Sequence, residues 1–250
     1  MRIALVSDIH GNLPALQATL ADIDAGGADA IYHLGDLVGY APWGDEVVAL
    51  LRSREIPGVA GNYDSTVATG YKHCGCTYED PHQEVLSHES FAWTLAHTSD
   101  ESKRYLGALP FRLDLRPWGG HQAGPTVTLL HGNPVLNTVY WTEDRDDAFC
   151  GKMAALAGAK EGGVVAFGHT HKPWYRHVGG IHFVNTGSVG RPKDGDARAG
   201  YALLSVDGSG VGVEIRRVEY DVPAAARGIR ESDLPDEFAR MLETGGRLDG

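Results

Sequence analysis

The sequence predicts an α/β fold in which two mixed β-sheets pack face to face with helices outside them. Three observations predict it. Apolar runs alternate with helical stretches through the first half, strand signals between Gly-rich turns dominate from Val164 onward, and the chain returns to helix over about residues 222–244. No Pro/Ser-rich or single-charge linker and no internal repeat divides the 250 residues, so residues 1–250 read as one domain with a C-terminal helical segment.

Arg2 to Val6 is a short apolar run that predicts a buried strand, and Gly11-Asn12-Leu13-Pro14 then opens a helix. Its apolar positions Leu13, Leu16, Leu20 and Ile23 recur at helical spacing. Ala30 to Leu34 predicts a second strand, Trp43 to Arg52 a helix and Ile56 to Ala60 a third strand, together a parallel β-α-β winding. One or two helices are expected from Gln83 to about Gly107, where Phe91 and Leu95 stand four apart on a core face with Trp93 off it. Strands are expected at Arg112 to Leu115 and Thr126 to Leu130, and a helix from roughly Glu143 to Ala157. Strands then follow at Val164 to Phe167, Ile181 to Asn185, Tyr201 to Val206 and Val211 to Val218, and a helix from Ala224 to Leu242.

The net charge of −11, from 33 acidic and 22 basic residues, gives a negative long-range field that disfavours long nucleic acids and anionic membranes as partners. Any phosphate must therefore be held locally. Cys74, Cys76 and Cys150 are an odd number without a Cys-x-x-Cys pair, so neither a disulfide framework nor a thiolate zinc site is indicated. The first strand is too short for a signal-peptide core and no run reaches membrane-spanning length, which makes a cytoplasmic location the expectation.

Chemistry-bearing residues stand at the ends of these strands. Asp8-x-His10 follows the first, and a period of two along extended chain would point both side chains the same way. Gly35-Asp36-Leu37-Val38-Gly39 follows the second, its glycines freeing the backbone to leave a carboxylate at the sheet edge. Gly61-Asn62-Tyr63-Asp64 offers an amide oxygen, a phenol and a carboxylate placed to orient a neighbour. His131-Gly132 and Gly168-His169-Thr170-His171 add imidazoles after apolar strands, with His169 and His171 again spaced to share a side. Any one of these alone reads as a capping or turn residue; five in order, each at a strand end, do not. Oxygen and nitrogen donors without sulfur suit Mn, Fe or Zn with open positions.

At these residues the sequence resembles the calcineurin-like metallophosphoesterase superfamily, and Gly187-Ser188-Val189-Gly190-Arg191-Pro192 looks like its compact bacterial phosphodiesterase branch. The resemblance implies a four-layer α/β/β/α sandwich and two divalent metal ions. It puts Asp8, His10, Asp36 and His171 on one ion and Asp36, Asn62, His131 and His169 on the other, with Asp36 bridging. It implies hydrolysis of small phosphodiesters, or of a phosphoanhydride such as a dinucleoside polyphosphate, by a metal-bridging hydroxide attacking in line. Asp36, Asn62, Tyr63, Asp64 and His131 are the expected catalytic residues, and Asn12, Tyr63 and Arg191 the expected substrate contacts. Asn12 also reads as a helix cap, and Arg191 with Lys193 as an exposed basic turn.

Tyr63 departs from the superfamily pattern, in which many members carry a His that helps protonate the leaving oxygen. A phenol near pKa ~10 is a poorer proton source, which favours substrates with good leaving groups. The segment from Tyr71 through Cys74, Cys76 and Tyr78 to His82 is expected to roof the site rather than bind a third metal, and Tyr140 and Trp141 to be core or pocket wall. Two competing functions remain: a phosphomonoesterase, including a protein phosphatase, on the same site, and a protein-binding scaffold that kept the fold and lost the chemistry.

Overall fold

The computed structural model describes residues 1–77, 80–117, 126–208 and 210–247. In chain order the elements are β1 (Arg2–Val6), α1 (Leu13–Gly26), β2 (Ala30–His33), α2 (Gly44–Ser53), α3 (Asn62–Ala68), α4 (Pro81–His97) and α5 (Asp100–Ala108). There follow β3 (Leu113–Leu115), β4 (Val127–Leu129), α6 (Asp147–Ala157), β5 (Val164–Phe167), β6 (Trp174–Val178), β7 (Ile181–Asn185), β8 (Ala199–Asp207), β9 (Gly210–Val218), α7 (Val222–Arg230) and α8 (Asp236–Thr244). One sheet runs β2-β1-β8-β9 and the other β3-β4-β5-β7-β6. Both are mixed: β1 pairs parallel with β2 and antiparallel with β8, while β5 runs parallel to β4 and β7 and β6 antiparallel to β7.

The alternation of side chains along each strand builds the layers. Ile3 and Leu5 of β1 meet Val127, Leu129, Val164, Ala166 and Val184 between the sheets. Ala4 and Val6 point the other way, onto Leu16 and Leu20 of α1 and the layer completed by α2, α7 and α8. Val165, Phe167 and Phe183 face Cys150 and Met153 of α6 on the far side, with Trp141 stacked on Phe167 at 4.4 Å between centroids. This is the expected four-layer sandwich, and Trp141 belongs to its core.

Several boundaries differ from the sequence expectation, each for a local reason. Ile56 to Ala60 makes one bridge, His33 to Gly58, instead of a strand. Pro57 has no N–H to extend the pairing, and Ala60 gives its own to Pro110 O at 2.8 Å. The C-terminal helix is two helices, because Pro235 disfavours helical backbone at the residue before it. Helix α6 starts at Asp147, where Asp146 accepts from Phe149 N at 2.7 Å, so residues 143–146 stay outside it. Strand β6 was not anticipated. Phe91 is buried as expected, while Leu95 is only partly so. Tyr78 lies outside the described residues.

Candidate metal centre

The C-terminal ends of β1, β2, β4 and β5 converge at one rim of the sandwich. The loops that leave them are tied to one another: Asp8 N donates to Gly35 O at 3.0 Å, His10 N to Asp36 O at 3.0 Å and Gly168 N to His131 O at 2.9 Å. A side chain at Gly168 would collide with Ser7 and Asp8, and one at Gly35 with Gly61, so only glycine lets these loops approach. Asp8, His10, Asp36, His169 and His171 all sit at left-handed φ, between 48° and 65°. That overturns the extended, period-two placement expected for Asp8-x-His10 and His169-x-His171. Non-glycine residues held in this region are strained, and such strain clusters at functional sites.

Two groups of side chains result, Asp8 with His10 and His171, and Asp36 with His131 and His169, the ligand atoms of each lying within 4.8 Å of one another. His169 and His171 therefore serve different groups rather than sharing a side. Asp36 Oδ2 stands between the groups, 3.6 Å from His10 Nε2 and 3.4 Å from His131 Nε2. Asn62 Oδ1 joins the second group, 3.0 Å from His131 Nε2. Its Nδ2 donates to Cys74 O at 3.1 Å, which fixes the amide with its oxygen inward.

The outward nitrogens decide what the inward ones can do. Nδ1 of His10 lies 3.0 Å from Val38 O, that of His131 2.8 Å from Leu34 O and that of His171 2.5 Å from Arg191 O. A carbonyl only accepts, so these Nδ1 atoms carry protons, and the neutral His10 and His171 rings turn Nε2 lone pairs inward. His10 Nε2 faces His171 Nε2 at 3.2 Å, and His131 Nε2 faces His169 Nδ1 at 3.2 Å. At the first of these contacts two lone pairs face each other and repel unless a cation lies between them. Asp8 Oδ1 is buried with no hydrogen-bond partner, while its Oδ2 accepts from Ser7 Oγ at 2.6 Å and His169 N at 2.9 Å. The donor set fits two hard or borderline cations.

Three of the four rings are neutral on electrostatic grounds as well. Burial pushes His10 and His169 down to about 3 and His171 to about 4, keeping their rings neutral. Burial would lower His131 too, but the Asp36 carboxylate beside it outweighs that and lifts it to about 10. Burial would raise Asp8 and Asp36; His171 and His131 respectively hold them below the usual carboxylate range.

A ring of buried polar groups sets these loops. Asp64 accepts from Asp36 N at 2.8 Å, Gly61 N at 2.9 Å and Leu37 N at 2.9 Å, so it shapes the turn that carries Asp36. Burial and then the charge of Asp36 push it up to about 7. Ser188, which sequence reasoning gave no role, donates to Asp8 O at 2.7 Å and accepts from Arg191 N at 2.7 Å. Asn12 is fully buried, accepting from Ala15 N at 3.2 Å and donating to Gly190 O at 3.0 Å. It caps α1 and anchors the Arg191 loop. The Tyr63 hydroxyl lies 3.5 Å from Ser87 Oγ, its ring edge-on to His10 at 5.4 Å, and burial pushes the phenol well above its ordinary value. It keeps its proton and forms a wall.

The sequence profile of the calcineurin-like phosphoesterase superfamily domain matches residues 1–209. The chain belongs to that superfamily. A crystal structure of a metallophosphoesterase from Sphaerobacter thermophilus is 30% identical, with a TM-score of 0.75 over 98% of this chain and 100% of that one. Protein MJ0912 of Methanocaldococcus jannaschii is 30% identical over 97% of this chain and 98% of its own. The Escherichia coli phosphodiesterase YfcE is 28% identical over 83% of this chain and 89% of its own.

In this superfamily member a cavity of about 460 Å³ opens beside the ligands, its walls including Tyr40, Thr77, Gln83, Tyr140, Arg191 and Lys193. Tyr140 stacks on His169 at 4.4 Å between centroids, so it is pocket wall. Of the 71–82 segment, Cys76 borders the ligands and Thr77 and Asp80 line the cavity. Tyr40, Lys172 and Met241 also line it and went unread in the sequence. Tyr40 alone had a signal, standing next to the Gly39 that closes the Asp36 motif. Among the described residues, no helix is long and apolar enough to cross a membrane.

Proposed function

We propose that the chain is a dinuclear phosphoesterase acting on small phosphodiesters or phosphoanhydrides. The observation that carries the proposal is the carboxylate of Asp36 standing between two buried histidine groups. Asp8, His10, Asp36 and His171 would hold one divalent ion, and Asp36, Asn62, His131 and His169 the other. Mn, Fe or Zn there supplies Lewis-acid activation of water and of the phosphoryl oxygens.

The protein's own residues do the rest. Backbone carbonyls orient the His10, His131 and His171 rings, and Asp64 holds the turn that presents Asp36. Asn62 is locked amide-outward by Cys74. Tyr63 and Tyr40 wall one side of the reacting space. With Tyr63 retaining its proton, a leaving group that departs without protonation is favoured, which a phosphoanhydride provides.

Hydrolysis of bis(p-nitrophenyl) phosphate and p-nitrophenyl phosphate by Mn-refilled protein tests the proposal. Faster diester turnover, absent in Asp36→Asn, is the expected result. Faster monoester turnover makes the chain a phosphomonoesterase, and no turnover of either with metal bound points to a narrow natural substrate or a scaffold.

A further inference from the structure

Arg191 is 6% exposed, yet among the described residues it is in no ion pair. Its guanidinium lies over the Tyr40 ring at 3.9 Å and the Phe238 ring at 5.6 Å, and Nη2 approaches Met241 Sδ at 3.2 Å. Its Nε is buried without a hydrogen-bond partner. A buried cation on an aromatic and thioether bed, with a donor unspent, is costly unless an anion completes it.

The surroundings add positive charge. Lys193 lines the same space as Arg191, and both border the gap beside His10, Asp36 and His171. Among the described residues neither is in an ion pair, and burial followed by the nearby Arg191 pushes the Lys193 amine down to about 7. Lys172 adds a third cation to the cavity wall against one carboxylate, that of Asp80. The two cations are also held from outside the stretch that matches the superfamily. Helix α8 supplies Phe238 and Met241, and its terminal turn locks the 191–196 loop, Gly195 N donating to Gly245 O at 2.9 Å. A side chain at Gly246 would collide with Pro192 and Lys193.

We infer that Arg191 and Lys193, braced by α8, form a second anion site adjoining the ligand groups, so that the substrate carries a phosphate next to the one that reacts. This rests on the phosphoesterase reading and narrows it to phosphoanhydrides with consecutive phosphates, such as nucleoside diphosphate and polyphosphate linkages. Such a bidentate anion is what a planar guanidinium beside an ammonium recognises.

Isothermal titration of Mn-loaded protein with α,β-methylene-adenosine 5′-diphosphate and with adenosine 5′-monophosphate tests it. The diphosphate analogue is expected to bind about tenfold more tightly, the gain of one charged hydrogen-bonded contact. Lys193→Gln and Arg191→Lys, checked for folding by circular dichroism and thermal midpoint, are expected to shrink that ratio. Equal affinities in the wild type, or an unchanged ratio in folded Lys193→Gln, overturn the inference. The analogue is not hydrolysed, so this outcome is separate from whether the nitrophenyl substrates turn over.

Discussion

His10 and His171 each donate Nδ1–H to a backbone carbonyl and turn Nε2 inward, whereas His169 turns Nδ1 inward and leaves a buried Nε2 with no hydrogen-bond partner among the described residues. Stacking on Tyr140 is what holds the His169 ring. The second group has an amide, Asn62, where the first has a carboxylate, Asp8. Hydrogen bonds behind a ligand commonly add 10–100-fold to metal affinity, roughly the advantage the first group should have. Two groups with similar donors thus differ in how firmly they are backed, and the second should exchange its ion more readily.

The largest expected effect breaks both groups at once. Asp36→Asn removes the shared carboxylate and should lower diester turnover by roughly 10²–10³-fold or more, with metal content measured alongside. Next, His169→Ala should cost the second ion and spare the first, while His10→Ala should do the reverse. Loss of both ions in either variant would show that the groups are not separable. Asp64→Asn keeps the shape but has one accepting oxygen where the carboxylate has two, so it cannot take the bonds from Leu37 N and from Asp36 N and Gly61 N together, and metal affinity should fall by about 10–100-fold through misplacement of Asp36. A calorimetric titration with Mn reads that change.

The smallest effect concerns His33, a buried histidine outside both groups, which burial pushes from 6.5 down to about 3. The unfolded chain therefore binds more protons between those values. The neutral ring's contribution is complete above about pH 6.5 and is lost as pH falls towards 3. His33→Leu should move the acid-unfolding midpoint of metal-loaded protein to lower pH. An unchanged midpoint would mean that the acid sensitivity lies elsewhere.

The strand-end motifs were legible because each ligand type is written locally, next to an apolar run. Their partition was not legible from spacing: the left-handed turns at Asp8, His10, His169 and His171 replace the extended geometry that a period of two assumes. Strand β6 was missed although Gly179-Gly180, which joins it to β7, is a recognisable two-residue hairpin turn. Asn12 illustrates the other limit. A polar residue at a helix start looks the same in sequence whether or not it also ties a distant loop, and its bond to Gly190 is visible only in the fold. The bed under Arg191 joins residues 40, 191, 238 and 241, a proximity no local pattern contains.

The left-handed backbone at five ligands also bears on the protein's lifetime. Each such residue costs ~1–2 kcal/mol relative to ordinary helical backbone, and without cations the facing His10 and His171 nitrogens add repulsion. Ions that bind only the folded chain offset both. Starving the protein of metal should therefore open its loops to proteases first at this rim, and cation supply would set how long each chain survives as well as how fast it works.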